Sequence, residues 1–545
     1  MTQQAEHPGP YEIQLHEIAP SEFILVKQSD ADQSSHIVLQ PTPSSDPNDP
    51  LNWGLWRKCW NYLLVFGVSL GVFTALSTQT TFWQQMAVDL DVTFEQLNNS
   101  RSANLAGLAM GCIFFIPFTR KYGRRTPYVL STMVMAGVSW WSYKMTSLTE
   151  LTLTNLVFGL AGAINETLVQ VTIADLFFVH QRGRANALYL LAVMMGSFLT
   201  PMAGGVQATR QGWRSSYLAL AISMSIISVF FVFGYEETKY IPIMDGQSPA
   251  APVAADKGDC DPQTKKTASE LENSDLQAVD SVRVMNDAIP LNTYRQRMRL
   301  VTKTNENLWQ LMVFPLRVVF LPHVMFTSLQ YAACIFYLVI QSSVIAIVFA
   351  APPYHFSPAG IGYLSLAPFI GNLLGSFYAG FVGDWCITYL SKKNNGWFVP
   401  EFRLYPLLLP VIAQSAGMMA FGITLGKGFH WIYPAIGSSI SAFGLGAIGD
   451  VTFSVVIDAY RPVTAEAFVC VSFFRNAVSI IVPFVVMPWM QRDGLGTMFT
   501  IIGVLSFVIG MTFLPLIIWG KKWRDALVPY YNKILEKKVQ IHGSV

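Results

Sequence analysis

The sequence predicts an all-α membrane protein in which twelve transmembrane helices form two six-helix bundles. Its 545 residues are 52% hydrophobic and 13% charged, whereas a soluble globular protein carries about 25% charged residues. Apolar stretches of about 20 residues, long enough to cross a bilayer as a helix, recur in two groups of six with a long polar segment between them. Because lipid solvates apolar faces, such a chain needs no soluble core. The net charge of +2 does not indicate a nucleic-acid partner.

The twelve stretches, called spans one to twelve, have boundaries read from hydropathy. The first six are 59–80, 102–118, 127–145, 151–176, 185–206 and 214–235, and the second six are 322–350, 359–383, 404–426, 431–457, 465–488 and 497–519. The predicted domains are an N-terminal cytosolic tail (1–55), a first bundle (56–235), a cytosolic central loop (236–321), a second bundle (322–520) and a C-terminal cytosolic tail (521–545). Pro and Gly inside several spans are compatible with membrane helices.

The polar segments carry two further predictions. The first 50 residues contain no short apolar region at the start, so we expect no cleaved signal peptide and insertion through span one. The first part of the central loop is rich in Ser, Pro and Asp and is predicted to be disordered. Its end, NENLWQLMVFPLRVVFLP, mixes aromatic and basic residues. This stretch is either a short helix on the membrane surface or a solvated linker into span seven.

Lys and Arg in the short loops predict the orientation. With the N-terminus inside, the inner loops hold ten cations and the outer loops hold six, Arg101 being one of the outer set. This excess favours both termini in the cytosol, and the plasma membrane is the expected location. The sequon Asn98-Asn99-Ser100 then falls in the first outer loop, so Asn98 is the candidate glycosylation site.

Glu166 is the most unusual residue of the apolar stretches. It lies near the middle of span four, about ten residues or 15 Å from the cytosolic end, which is too deep for the sequon Asn165-Glu166-Thr167 to carry a glycan. A charge at this depth costs roughly 3 kcal/mol or more. Glu166 has no evident partner in the sequence, so we expect it to bind a proton or a cation. The alternative is a structural, hydrogen-bonded acid.

Two other charges lie deep in the second half. Asp450 in span ten and Arg475 in span eleven are each about 10–15 Å from the inner surface at the helical rise. We predict that they form an ion pair between neighbouring helices, with a role in substrate binding as the alternative.

Three short motifs stand at the ends or bends of spans. GSFLTPMAGGVQ in span five contains Gly196, Pro201, Gly204 and Gly205, which permit close helix contact and a bend. RKYGRR between spans two and three contains Gly123, Arg124 and Arg125. The loop after span eight, GFVGDWCITYLSKKNNGW, places Asp384 in a related position in the second half, which indicates an internal repeat.

Several functional classes lack support. The six cysteines are scattered without CxxC or metal-ligand spacing, so neither a disulfide framework nor a metal site is predicted. No G-x-x-x-x-G-K-[ST] loop occurs, so ATP is not the implied energy source. We expect no cofactor and no enzymatic activity.

The spans, the long central loop and the motifs resemble the major facilitator superfamily, over about residues 46 to 525. The resemblance is carried by DPNDPLNW at 46–53, KYGRR at 121–125, DLFFVHQRGRANALY at 175–189, TPMAGG at 200–205, YEETKY at 235–240, PEFRL at 400–404, Asp458–Arg461 and Arg475-Asn476. Within the superfamily the chain looks most like the fungal twelve-span drug:proton antiporters, in the branch with polyamine and cation exporters. TPMAGG resembles the antiporter motif of span five, and RKYGRR resembles the conformational latch.

The sequence departs from the family pattern at two places. The family has Gly and Asp where this chain has Ile116 and Arg120, so the latch carboxylate of the first half is missing. Asp175 is the expected substitute, facing Arg124 or the Arg182/Arg184 pair. Many relatives have an arginine in span four at the position of Asn155. Its absence makes Glu166 the stronger candidate for proton coupling.

The resemblance implies a central cavity at the bilayer midplane and alternating access. Spans four, five, seven, eight and eleven are expected to line it. Besides Glu166, the candidate cavity residues are Gln170, Gln330, Tyr331, Tyr337, Asn372 and Asn476. The first hypothesis is proton-coupled efflux of a small organic molecule, such as a drug, toxin, polyamine or secondary metabolite, by a monomer. The alternatives are proton-linked uptake of a nutrient or organic cation, and a non-transporting membrane receptor.

Overall fold

The structure, a computed structural model, describes residues 23–24, 46–240, 291–301, 307–394 and 397–542. The predicted disorder in the first part of the central loop falls on residues 241–290, and most of the N-terminal tail precedes residue 46, so both lie outside the described residues. Within the described residues, two-residue strands β1 (Phe23–Ile24) and β2 (Trp397–Phe398) pair antiparallel, and the remaining regular structure is helical.

The first half contains eight helices. They are α1 (Leu55–Thr78), α2 (Trp83–Leu90), α3 (Phe94–Tyr122), α4 (Arg125–Lys144), α5 (Leu148–Leu176), α6 (Val179–Met194), α7 (Thr200–Gln211) and α8 (Trp213–Gly234). A 3₁₀ turn at Gln79–Phe82 joins α1 to α2, and a π-helical turn at Met195–Leu199 joins α6 to α7. Span one therefore covers Leu55–Leu90, 36 residues, and extends beyond the predicted span 59–80 at both ends. Side-chain caps fix two starts: Thr93 forms a capping box with Gln96 before α3, and Ser147 caps α5.

The described second part of the chain contains eleven helices. They are α9 (Tyr294–Arg297), α10 (Leu308–Val318), α11 (Pro322–Val348), α12 (Pro358–Leu364), α13 (Leu366–Lys393), α14 (Leu408–Gly426), α15 (Ile432–Ala459), α16 (Thr464–Ser479), α17 (Val482–Gly510), α18 (Phe513–Ala526) and α19 (Val528–His542). A 3₁₀ segment, Pro400–Leu407, precedes α14. The stretch at the end of the central loop is thus the helix α10, which packs on α3 and α16 and is not a solvated linker.

Twelve crossings of the described chain are formed by the helices α1–α8 and α11–α18. Nine segments are long and apolar enough to span a membrane by length and composition. The last of them, Thr464–Ala526, reverses direction at Gly494, where φ is 73°, and therefore holds spans eleven and twelve. The helices α3 and α4, of 29 and 20 residues, supply the other two crossings. The predicted all-α fold with twelve membrane helices in two bundles is confirmed.

The most extensive helix contacts follow the same order in both halves. They join the second span to the fourth, α3 to α5 in the first half and α13 to α15 in the second. Glycines allow backbone contact in both: a Cβ on Gly159 would lie 2.1 Å from the carbonyl oxygen of Asn104, and one on Gly371 would lie 1.9 Å from that of Ser439. Small residues at matching crossings agree with an internal repeat.

The two halves touch at both ends of the bundle. The tail end is the end where residues 46, 240 and 521 lie, and the far end is the opposite one. At the far end, a Cβ on Gly205 of α7 would lie 2.3 Å from the carbonyl oxygen of Pro358, which starts α12. At the tail end, Arg120 of α3 forms an ion pair with Glu466 of α16. A cavity lies between these two contacts.

Candidate functional site

The central cavity has a volume of about 130 Å³ and is lined by both halves. Spans one, two, four and five line it on one side, and spans seven, eight, ten and eleven on the other. The walls are mostly apolar. The lining side chains with polar groups are Ser77, Gln79, Arg101, Asn104, Glu166, Ser197, Tyr331, Asn372, Asp450, Arg475 and Asn476. A pocket with apolar walls and a few placed polar groups is the usual form of a small-molecule site.

Glu166 forms an ion pair with Arg475, which the sequence did not predict. The two side chains are 2% and 8% exposed, and they join α5 of the first half to α16 of the second. Asn476 bridges them, because its Nδ2 donates to Glu166 Oε2 at 3.1 Å and its Oδ1 accepts from Arg475 Nε at 3.0 Å. The guanidinium also lies 5.5 Å from the ring centroid of Tyr331. The cavity therefore contains a buried, hydrogen-bonded ion pair between the halves.

The predicted ion pair between Asp450 and Arg475 is wrong. Arg475 is engaged by Glu166 and Asn476. Asp450 lies on the cavity wall, and no Lys or Arg of the described chain lies within ion-pair distance of it. The equal depth of Asp450 and Arg475 was read correctly, but depth along a helix does not say which way a side chain points.

The predicted cavity residues divide into two groups. Tyr331, Asn372 and Asn476 line the cavity, whereas Gln170, Gln330 and Tyr337 are absent from its lining. Gln330 is a structural residue, because its Nε2 donates to the carbonyl oxygen of Ile509 at 2.7 Å and to Thr512 Oγ1 at 2.9 Å.

Arg101 is a cavity residue that sequence reasoning missed. It was assigned to an outer loop because the apolar stretch of span two begins at residue 102. The helix α3 begins eight residues earlier, at Phe94, after the N-cap Thr93. Arg101 therefore lies inside the bundle, where its Nη1 donates to Ser342 Oγ at 2.9 Å. The capping signal Thr93-x-x-Gln96 could have extended the predicted helix to this point.

Asn98 is not in an accessible loop, so the prediction of a glycosylation site there is wrong for this structure. Its side chain is 0% exposed. The amide Nδ2 donates to the carbonyl oxygen of Pro483 at 2.7 Å, and Oδ1 accepts from Ser343 Oγ at 3.0 Å. A glycan on Nδ2 would break the far-end contact between the halves.

The span-five motif lies where this span changes its helical form. The π-helical turn begins just before Gly196, and Pro201 is at the start of α7. A Cβ on Gly196 would lie 2.7 Å from Phe73 Cβ, and one on Gly204 would lie 2.4 Å from Thr78 Cγ2. These glycines, with Gly205, let span five press against span one and span eight. The close packing predicted for the motif is present, and its role in antiport stays a prediction.

The tail-end loop of the first half contains the predicted contact between Arg124 and Asp175, with 3.1 Å between Nε and Oδ2. Arg182 instead donates to the carbonyl oxygens of Phe177 and Ala174. The carboxylate of Glu237, in the segment YEETKY, accepts from the backbone N–H of Arg124 at 2.8 Å. The latch function itself stays a prediction.

Two further residues of this loop are held tightly. Gly123 has a φ of 106°, and a Cβ there would meet Glu237 Oε2 at 2.3 Å, so the turn requires glycine. The Arg125 guanidinium donates to the carbonyl oxygens of Val232, Tyr235 and Met298. Burial raises the pKa of Glu237, against the lowering effect of its backbone hydrogen bonds.

The matching loop of the second half is looser. Asp384 is 80% exposed and lies 3.8 Å from Nη1 of Arg403, whose principal partner is Asp458. An exposed pair of this kind contributes about 0–1 kcal/mol. Where the family has the latch carboxylate of the first half, this chain has Arg120, which forms an ion pair with Glu466 of the second half. Lys538 of α19 binds the same Glu466 carboxylate at 3.0 Å.

Comparison with known proteins agrees with this architecture. A sequence model of the Major Facilitator Superfamily matches residues 63–483. The chain belongs to the major facilitator superfamily. It is 29% identical to an uncharacterized MFS-type transporter of Schizosaccharomyces pombe, with 96% of each chain covered. It is 27% identical to Protein HOL1 of Saccharomyces cerevisiae, over 90% of this chain and 91% of that one. It is 24% identical to the efflux pump radE of Floropilus chiversii, over 85% and 81%.

These findings confirm the predicted family and class. The protein is a major facilitator transporter that crosses the membrane several times, and several of its fungal relatives are named MFS transporters. Within this major facilitator fold, the charged side chains that line the central cavity are Glu166, Arg475, Asp450 and Arg101.

Proposed function

We propose that this transporter exports a small organic molecule in exchange for protons, and that the Glu166–Arg475 ion pair couples the two movements. The observation that carries the proposal is the position of the pair. It lines the substrate cavity and joins the first half to the second. A change in its charge therefore acts on the bound molecule and on the relative position of the halves.

Protonation of Glu166 would supply most of the free energy that a change between two states of the transporter requires. While Glu166 is ionised, the pair holds α5 against α16. When Glu166 takes up a proton, Arg475 loses its counter-ion, and removing one partner of a buried pair costs about 3–5 kcal/mol. Moving a two-state equilibrium from 1:99 to 99:1 takes about 5.5 kcal/mol. Protonation and substrate binding together supply a shift of that order.

Direction and location follow from likeness. The motif TPMAGG resembles the antiporter motif of exporters, and one relative is named an efflux pump. We place the protein in the plasma membrane, as a monomer, on the same grounds.

The test is substrate-dependent proton flux in proteoliposomes that contain the purified protein and a pH-sensitive dye. A panel of organic amines, neutral drugs and organic acids is added on one side. We expect some of these compounds to elicit proton movement in wild type and none to do so in Glu166→Gln. The matched control is Glu150→Gln, an acid at the start of the same helix that accepts a backbone hydrogen bond outside the cavity.

Each contrary result removes a defined part of the proposal. Proton flux with unchanged pH dependence in Glu166→Gln would show that Glu166 does not couple. Proton and substrate moving in the same direction would replace export with proton-linked uptake. Absence of any substrate-dependent flux in wild type would favour the receptor.

A further inference from the structure

Arg101 is a cation of the cavity wall that no acidic side chain accompanies. It is seven residues into α3 and lines the cavity. Among the described residues, no Asp or Glu acts on the charge of its guanidinium. An arginine inside a membrane-spanning bundle is costly when nothing balances its charge, so an anion in the cavity would stabilise it.

Two serines of the second half occupy only one nitrogen of this guanidinium. Nη1 lies 2.9 Å from Ser342 Oγ and 3.5 Å from Ser343 Oγ. Nε and Nη2 donate to none of the described residues, and neither belongs to the polar atoms that are enclosed without a partner. Both nitrogens therefore keep surface that a ligand can reach. A neutral donor could hold the two hydroxyls at lower cost, so the serine contacts do not account for the charge.

The free edge of the Arg101 guanidinium matches a carboxylate. Nε–H and one N–H of Nη2 lie side by side on this edge, and a carboxylate accepts both in a forked pair of hydrogen bonds. Such a pair adds direction to the attraction between the charges. The edge therefore selects a planar anion with two oxygen atoms.

The acids of the cavity lie at a different depth from Arg101. Arg101 is 21 residues, or about 31 Å, from the tail end of α3. Asp450 is nine residues, or about 14 Å, from the tail end of α15, and Glu166 is ten residues, or about 15 Å, from that of α5. An anion on Arg101 would thus be about 15 Å along the bundle from either acid. Because Coulomb energy falls with distance, attraction at about 4 Å exceeds each repulsion at that distance about fourfold.

Apolar side chains form the walls next to Arg101. Leu105 and Leu108 follow it by one and two turns of α3, and Val339 precedes Ser342 by about one turn of α11. These walls offer no donors to the remaining faces of a small inorganic anion. They favour an anion that carries an apolar body.

We infer that Arg101 binds the carboxylate of an organic acid with an apolar body. The inference rests on the proposed function, because it names a substrate class for the same cavity. Nε and Nη2 hold the two carboxylate oxygens, and the apolar walls contact the body of the ligand. Nη1 keeps its contact with Ser342, so the ligand binds beside a contact that joins the two halves.

The experiment measures equilibrium binding of radiolabelled 3-phenylpropionate to the purified full-length protein in nanodiscs, at fixed neutral pH in chloride-free buffer. This probe carries one carboxylate and an apolar ring. We expect saturable binding to wild type and an affinity lower by about tenfold or more in Arg101→Gln, because the charge and the fork are both lost. Arg101→Lys keeps the charge without the fork and is expected to have an intermediate affinity. The melting temperature of each variant shows that it is folded.

Two further variants separate ligand binding from the contact between the halves. Ser342→Ala removes the acceptor of Nη1 and leaves the carboxylate-binding edge intact, so it is expected to bind the probe at least as tightly as wild type. Arg210→Gln alters an exposed arginine in the last turn of α7, outside the cavity, and is expected to bind as wild type does.

Five results would overturn the inference. They are absence of saturable binding to wild type, equal binding by Arg101→Gln, an equal loss of affinity in Ser342→Ala, displacement of the probe by uncharged 3-phenylpropanamide as effectively as by unlabelled probe, and displacement by sodium chloride at the probe's own concentration. Because the assay uses no proton gradient, binding that follows the expected pattern without proton flux would refute the export proposal and leave the carboxylate site standing.

Discussion

A double-mutant cycle on Glu166 and Arg475 tests the central geometry of the cavity. The perturbations are Glu166→Gln, which removes charge and keeps the shape of the side chain, Arg475→Gln, which removes charge and shortens the side chain, and the double variant. A second cycle pairs Asp450→Asn with Arg475→Gln, the contact expected from sequence. The two cycles share Arg475→Gln, so they distinguish the pair in the structure from the pair inferred from depth.

The expected magnitudes follow from burial. Arg475→Gln leaves the Glu166 carboxylate, 2% exposed, with Asn476 as its remaining hydrogen-bond donor. Such a loss costs about 3–5 kcal/mol of unfolding free energy. In the double variant no buried charge is left, so we expect a coupling energy of about 2–3 kcal/mol. The Asp450 cycle should give a much smaller value, because Asp450 is not among the groups acting on Arg475.

The assay is reversible unfolding in detergent, followed by tryptophan fluorescence. Additivity of Glu166→Gln and Arg475→Gln within about 0.5 kcal/mol would refute the pair. A large coupling energy in the Asp450 cycle would restore the sequence-based pairing and contradict the structure.

Three other predictions concern the ends of the bundle. Gly205→Ala is expected to reduce transport strongly with little loss of expression, because its Cβ would lie 2.3 Å from the carbonyl oxygen of Pro358 and would block the far-end contact; initial rates of uptake into vesicles measure this. Exchanging the charges of Asp175 and Arg124, 3.1 Å apart, should impair transport singly and restore part of it in the double swap. Asn98→Gln should leave electrophoretic mobility unchanged, because the wild-type side chain is 0% exposed and carries no glycan.

Each of these has a matched control. Gly137→Ala adds a methyl group to α4 where no atom lies within 4 Å, so its transport should equal wild type, and an equal loss there would contradict the steric reasoning for Gly205. Lack of rescue by the double swap would exclude a latch between Asp175 and Arg124. The variant Lys427→Asn/Phe429→Ser creates a sequon in the exposed far-end turn. If glycans are found both on the engineered sequon and on Asn98 of the wild-type protein, Asn98 is accessible and the prediction from its burial is wrong.

Local properties of the chain were predictable. Hydropathy located all twelve spans, because the cost of placing polar groups in lipid is set residue by residue. The depth of Glu166 also followed from sequence, since each residue advances a helix by about 1.5 Å. The Arg124–Asp175 contact was one of two predicted alternatives, because it joins loops that must share one membrane surface.

Contacts between distant segments were not predictable in the same way. Asn98 and Arg101 appeared to be loop residues because their polar neighbours end the apolar stretch, yet α3 continues through them and buries Asn98 against Pro483. Their polarity is satisfied by span seven and span eleven, which lie more than 200 residues away in the chain. Hydropathy cannot distinguish a polar helix end in water from one that packs against another bundle.

The sequence by itself determined that this chain has twelve membrane spans with acids at mid-membrane, because span length, loop charge and helical rise are all local quantities. Only the tertiary structure decided that Glu166 binds Arg475 and that Asp450 does not. That choice depends on the rotation of each helix about its axis and on which helices of the two halves meet across the cavity. Both are set by packing of the whole bundle, through glycine contacts such as those of Gly159 and Gly371, and no single span contains that information.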